Sequence, residues 1–119
     1  MHQYIETNAC GIIGHIEKMN GKGTSVLLYI NELDRNGQQI GSQSIYIQLF
    51  NDAERVLLRN NAAVGDTLII RNGILKLAHK TQQGQEVLTS IRCNWYTQIS
   101  VIAKSNFYNL VGRNHPSVA

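Results

Sequence analysis

The chain has 119 residues, of which 43% are hydrophobic, and a formal net charge of +3. This length fits one domain with a single core. The sequence contains neither an apolar run of about 18 residues nor a recognisable leader, so we expect a cytoplasmic protein without a membrane segment. Cys10 and Cys93 form no CxxC pattern and are expected to be buried, reduced thiols. The mild positive charge permits a polyanionic partner without requiring one.

The apolar pattern predicts strands separated by turns. The run "MNGKG" (19–23) is a turn signal after the first strand, and Asn36-Gly37 is a strong hairpin signal before the third. Gly11 and Gly14 predict a bend or bulge within the first strand. The predicted strands cover residues 9–17, 24–31, 43–50, 67–80 and 87–102.

A helix is predicted directly after the third strand, because the apolar residues of "DAERVLLRNNA" recur at helical spacing. We expect Asn51 to cap this helix through its side chain and Glu54 to complete a capping box. In the fourth strand, Asn72-Gly73 predicts a bulge, since apolar residues resume at once. Alternation along the fifth strand places Trp95 on the face that points into the core.

Strands in this order, with a helix between the third and fourth, predict an all-β OB-fold: a five-stranded barrel over residues 1–103, followed by a short C-terminal tail at 104–119. An SH3-like barrel would lack the helix at that position. An immunoglobulin-like sandwich would need about seven strands.

Nothing in the sequence indicates catalysis. The 4 histidines are scattered without metal-ligand spacing, and neither a nucleophile elbow nor a glycine-rich phosphate loop is present. We therefore expect no catalytic residues, no metal and no cofactor, and predict that the protein is not an enzyme.

The residues expected on outer faces favour single-stranded nucleic acid, which is held by rings that stack on bases and cations that follow the phosphates. Tyr46 and Phe50 share the outer face of the third strand, whereas the direction of Tyr29 is ambiguous. The candidate binding residues are Tyr46, Phe50, Tyr29, Arg71, Lys76, Lys80, Arg92, Tyr96, Lys18 and Lys22. The alternative interpretation is that the rings close the barrel or lie in a subunit interface, and that the lysines lie on solvated strand edges, where they discourage aggregation.

The blocks "GIIGHIEKM", "IQLF" (47–50) and "GDTLIIRNGIL" (65–75) resemble the bacterial single-stranded DNA-binding proteins (SSB) and their relative, primosomal replication protein B. The resemblance covers residues 9–102 and implies that Phe50 is the base-stacking phenylalanine at the end of the third strand. Ser44 and Lys80 stand near positions where the family has stacking tryptophans. No acidic residue follows Glu86 in this sequence, so we expect neither the family's acidic tip nor recruitment of replication proteins by such a tip.

These observations predict non-catalytic, largely sequence-independent binding of single-stranded DNA in replication, recombination, repair or mobile-element transfer. The resemblance and the edge of the first strand predict a homo-oligomer, a dimer or a tetramer. Two alternatives stay open, an RNA-binding OB domain and an OB-fold protein-interaction module.

Overall fold

The computed structural model describes residues 3–104, so the predicted tail lies outside the described residues except for Lys104. Strands dominate, as predicted. The elements are β1 (Ile5–Lys18), β2 (Thr24–Leu33), β3 (Gln39–Leu49), α1 (Asn51–Arg59), β4 (Thr67–Lys76), β5 (His79–Lys80), β6 (Glu86–Val87), β7 (Ser90–Cys93), a 3-10 helix (Tyr96–Gln98) and β8 (Ile99–Ile102).

The strands form a closed barrel in the order β1-β2-β3-β7-β4, with β1 pairing also with β4. β3 and β7 run parallel, while the other neighbours in the barrel run antiparallel. β8 is a further strand that pairs with β4 outside this closed ring. β5 pairs with β6 in a separate two-stranded arm. With α1 between β3 and β4, this is the predicted OB-fold.

Alternation along the strands decides which side chains enter the barrel. Ile47 and Leu49 of β3 are completely buried, as predicted, and α1 closes one end with Leu57. Cys93 is also buried, and burial raises the pKa of its thiol to about 12. The prediction that both cysteines are buried is wrong for Cys10, which lies exposed on β1. The buried apolar core consists of Ile13, Val26, Leu28, Ile47, Leu49, Ala53, Leu57, Leu68, Ile70, Ile91, Cys93 and Ile99.

The start of α1 differs from the prediction. Asn51 has a φ of 52°, its side chain caps no backbone N–H, and its Nδ2 donates to Oδ1 of Asn94 at 3.2 Å. The Glu54 carboxylate turns away from the helix end and accepts hydrogen bonds from Lys18 Nζ at 2.8 Å and Thr24 Oγ1 at 2.6 Å. These bonds lower the pKa of Glu54, with the Lys18 bond contributing most. Glu54 therefore ties the helix to β1 and β2.

The two predicted bulges are present. The β1–β2 register shifts across Gly14, where a β-carbon would lie 2.0 Å from the Tyr29 ring, so the ring packs directly on glycine. In β4, Asn72 has a φ of 55° and its backbone N–H donates to Oδ1 of Asn8 at 2.9 Å. Because the second bulge changes the phase of alternation, Arg71 and Ile74 lie on the same outer side of the barrel although they are three residues apart.

The predicted fifth strand, 87–102, is broken: its first residue belongs to β6, and the rest is divided between β7 and β8. β7 ends at Cys93, and the chain turns through the 3-10 helix before β8 begins. The buried Gln98 holds this turn: its Oε1 accepts from the backbone N–H groups of Asn94 and Trp95, each at 2.8 Å. Its Nε2 donates to the carbonyl of Asn72 at 2.7 Å. The turn directs Trp95 outward with 65% of its surface exposed, so its predicted core position is wrong.

Candidate nucleic-acid interface

The outer face of β3, β7 and β4 is one continuous surface. Residues opposite each other in paired strands point to the same side of a sheet, so the register defines rows that cross this surface. The two rows at its centre are Tyr46–Ser90–Lys76 and Gln48–Arg92–Ile74. Alternation predicted the outward direction of Tyr46, Gln48 and Arg92, but the rows depend on which strands pair.

Phe50 and Arg92 form the centre of the site. The guanidinium carbon of Arg92 lies 4.8 Å from the centroid of the Phe50 ring, which is a cation–π contact. Arg92 is half-buried and forms no ion pair with any carboxylate of residues 3–104. A pocket of about 170 Å³ opens beside this pair, and Lys22, Asn51 and Asn94 complete its lining. We call it the Phe50 pocket. Its lining brings an aromatic ring and two cations to one opening.

Two tyrosines extend the surface away from this pocket. Tyr46 lies four residues before Phe50, about 13 Å along an extended strand, and is 42% exposed. Tyr29 is 48% exposed on the outer face of β2, because its neighbour Leu28 points into the core. The structure thus resolves the ambiguous direction of Tyr29. Both rings are accessible to a ligand that lies along β2 and β3.

Only some of the predicted cations lie free on the surface that carries the rings. Lys76 shares a row with Tyr46, and Lys22 lines the Phe50 pocket, so both lie on the surface that carries the rings. Lys18 does not present a free charge, because its ammonium forms the 2.8 Å ion pair with Glu54 described above.

The remaining predicted residues lie away from the Phe50 pocket. Lys80 is exposed on β5 in the two-stranded arm, and Arg71 donates a hydrogen bond to Ser100 of β8. Tyr96 is 66% exposed in the 3-10 helix, so its predicted place on a strand face beside Arg92 is wrong. Sequence reasoning missed the exposure of Trp95. The polar residues around it, above all Asn94 and Gln98, were the available signal that the strand stops.

Within residues 3–104, no three His, Cys, Asp or Glu side chains are grouped closely enough to hold a metal ion. No helix of that region has both the length and the apolar character required to cross a membrane.

No protein-family model matches the chain, and no curated protein is similar to it in sequence. Its fold is similar to that of several solved structures. The chain matches the Plasmodium falciparum SSB in complex with ssDNA at 20% identity and a TM-score of 0.56, over 87% of this chain and 98% of that one. It matches a small single-stranded DNA-binding protein from Streptomyces coelicolor at 17% identity and a TM-score of 0.57, over 86% and 94%.

A third similar structure is Schizosaccharomyces pombe Pot1pC bound to ssDNA, at 10% identity and a TM-score of 0.53, over 96% of this chain and 91% of that one. At identities this low, the three matches show a likeness of fold alone. The OB-fold predicted from the strand and helix order is therefore shared with proteins whose structures were determined with single-stranded DNA.

Proposed function

We propose that the protein binds single-stranded DNA without catalysing a reaction. The observation that supports this most is the Phe50 pocket, where an aromatic ring, the Arg92 guanidinium above it and Lys22 face one ligand-sized opening. Bases stack on an aromatic ring whatever their identity, and cations hold the phosphates. Tyr46 and Lys76 continue the same pairing of ring and cation along the barrel.

This arrangement supports binding that is largely independent of sequence, because it relies on π-faces and phosphates, which all nucleotides share. Under this proposal, the protein acts in the cytoplasm on strands exposed during DNA replication, recombination, repair or mobile-element transfer. The likeness of fold to proteins solved with ssDNA is a second, independent support.

The proposal predicts a salt-dependent affinity for single strands. Titrating a labelled mixed-sequence DNA strand at several salt concentrations should give a linear fall of log affinity with log salt. The slope should be about 0.7 per phosphate neutralised, hence roughly 2 if Arg92, Lys22 and Lys76 each contact one phosphate. A duplex of the same length should bind much more weakly, because its bases are not available for stacking.

The same titration with RNA of identical sequence separates the alternatives. Tighter binding of RNA than of DNA would replace the proposed ligand by RNA. No binding of either strand at low salt would contradict the proposal and favour a protein-interaction module.

We further propose that the protein is a homo-oligomer, a dimer or a tetramer. Ile12 pairs with both Tyr29 and Thr67, so β2 and β4 lie on opposite edges of β1. Along residues 5–10, the edge opposite β4 pairs with no strand of the described region, and it is available to a second copy. Sedimentation at micromolar protein should show a dimer or a tetramer. A monomer throughout that range would contradict this proposal without affecting DNA binding.

A further inference from the structure

A second pocket, which we call the Trp95 pocket, lies on the outer surface where β4 meets the turn after β7. It has a volume of about 320 Å³, and its lining includes Trp95, Tyr4, Arg71 and Glu6. Trp95 is 65% exposed and Tyr4 59% exposed, so two large rings face water at this pocket. Neither ring contributes to the core.

The Trp95 pocket adjoins the Phe50 pocket. Asn94 lines both of them. Ile74 lines the Trp95 pocket and stands directly opposite Arg92 in the β4–β7 pairing. A strand that is bound at Phe50 and continues across β7 therefore reaches the Trp95 pocket next.

The position of Trp95 is held by hydrogen bonds. Gln98, which is only 8% exposed, accepts from the backbone N–H of Trp95 and donates to the carbonyl of Asn72 at the β4 bulge. The side chain of Asn72 in turn donates to Oε2 of Glu6 at 3.2 Å. One network thus fixes the turn that carries the indole and orients the carboxylate that lines the same pocket.

The carboxylate determines which part of a nucleotide fits. Glu6 repels a phosphate but accepts hydrogen bonds from the amino groups of bases. Cytosine and adenine carry an amino group on the Watson–Crick edge, and guanine carries an amino group beside its N1–H. Thymine has no amino group: its N3–H lies between two carbonyl oxygens, and a carboxylate that approaches this N–H is repelled by the oxygens on both sides.

We propose that the Trp95 pocket takes one base of the bound strand, stacked on Trp95 with its Watson–Crick edge toward Glu6, and that it discriminates against thymine. The inference rests on the proposed function and adds one selective position to an otherwise unselective surface. Cytosine and thymine are matched in ring size, so comparing them isolates the contribution of the amino group.

The test compares oligo-dC with oligo-dT of equal length on the full chain at fixed salt and pH 7.5. The unmodified protein should bind oligo-dC about five- to tenfold more tightly. Glu6→Gln should bring the ratio close to one, because the amide keeps its bond from Asn72 and donates to thymine. Trp95→Ala should weaken binding of both strands by about tenfold, and Trp95→Phe should restore most of it. Tyr96→Ala is the matched control: its ring is equally exposed but does not line the pocket, so the ratio should stay unchanged.

Equal affinity of the unmodified protein for the two strands would overturn this inference and leave the proposed function intact. A dC preference that survives Glu6→Gln would also overturn it, since the preference would then arise elsewhere. If the unmodified protein binds neither strand, the proposed function fails and the inference fails with it. Melting temperatures of all variants show whether each is folded, and the exposure of Trp95 and Glu6 makes a loss of folding unexpected.

Discussion

Replacing Phe50 with alanine should weaken binding of single-stranded DNA by about five- to 150-fold, which corresponds to the 1–3 kcal/mol of one aromatic–base stack. The variant removes the aromatic face of the Phe50 pocket and leaves Arg92 without the ring it lies against. The loss should be similar for mixed sequences of different composition, because every base has a π-face. Fluorescence anisotropy titrations of the two proteins at one salt concentration measure it.

Phe50 also contributes to packing, so a second variant is needed to separate stability from binding. A β-carbon on Gly23 would lie 2.6 Å from the Phe50 ring, which shows that the ring rests on this glycine. Phe50→Leu keeps an apolar side chain against Gly23 but has no π-face. We expect it to melt close to the unmodified protein while binding DNA as weakly as Phe50→Ala. Two folded variants that both bind within twofold of the unmodified protein would show that the ring is structural.

Replacing Gly73 with alanine should destabilise the barrel by about 1–3 kcal/mol, the usual cost of overpacking a core. A β-carbon at this position would lie 2.3 Å from Cγ2 of Ile91, 3.0 Å from Cγ2 of Ile70 and 3.3 Å from Sγ of Cys93. All three neighbours are core residues with at most 3% exposure, so none can move into solvent. Thermal unfolding should show a melting temperature lowered by roughly 5–20 °C.

Gly41→Ala is the matched control for this variant. Gly41 also lies in a strand and has no positive φ, but a β-carbon there would meet only a carboxylate oxygen of Glu32, at 3.4 Å. This second substitution should leave the melting temperature unchanged or raise it slightly, because alanine restricts the unfolded chain. Equal melting temperatures for the two variants would contradict the packing argument at Gly73.

The sequence by itself determined the fold, because alternation with period two encodes which side of a strand is buried. In "SIYIQLF" the apolar residues at 45, 47 and 49 predicted the core face, and the structure buries Ile47 and Leu49 completely. The bulges were predictable for the same local reason: the glycines of "GIIG" and the Asn72-Gly73 pair stand where alternation is interrupted. The order of strands and helix along the chain and the outward direction of Tyr46 follow from such local patterns.

Only the tertiary structure decided which candidate residues meet. Phe50 and Arg92 are 42 residues apart (92 − 50), and their contact depends on the parallel pairing of β3 with β7. Lys18 has the positive charge of a phosphate ligand, yet its ammonium pairs with Glu54, which lies 36 residues later. These outcomes depend on contacts between distant parts of the chain, and no periodicity within one strand encodes them.

The predicted positions of Trp95 and Tyr96 are wrong for the same reason. A run with acceptable alternation predicted one strand over 87–102 and put Trp95 in the core. The strand stops because Gln98 bonds to the backbone of Trp95 and to a carbonyl 26 residues earlier, at Asn72. With Gln98 bonded to the β4 bulge, the chain turns after Cys93, and both Trp95 and Tyr96 face water. The buried hydrogen bond from Gln98 to Asn72 thus outweighed the strand-like alternation of residues 87–102. Both residues of this bond line the Trp95 pocket.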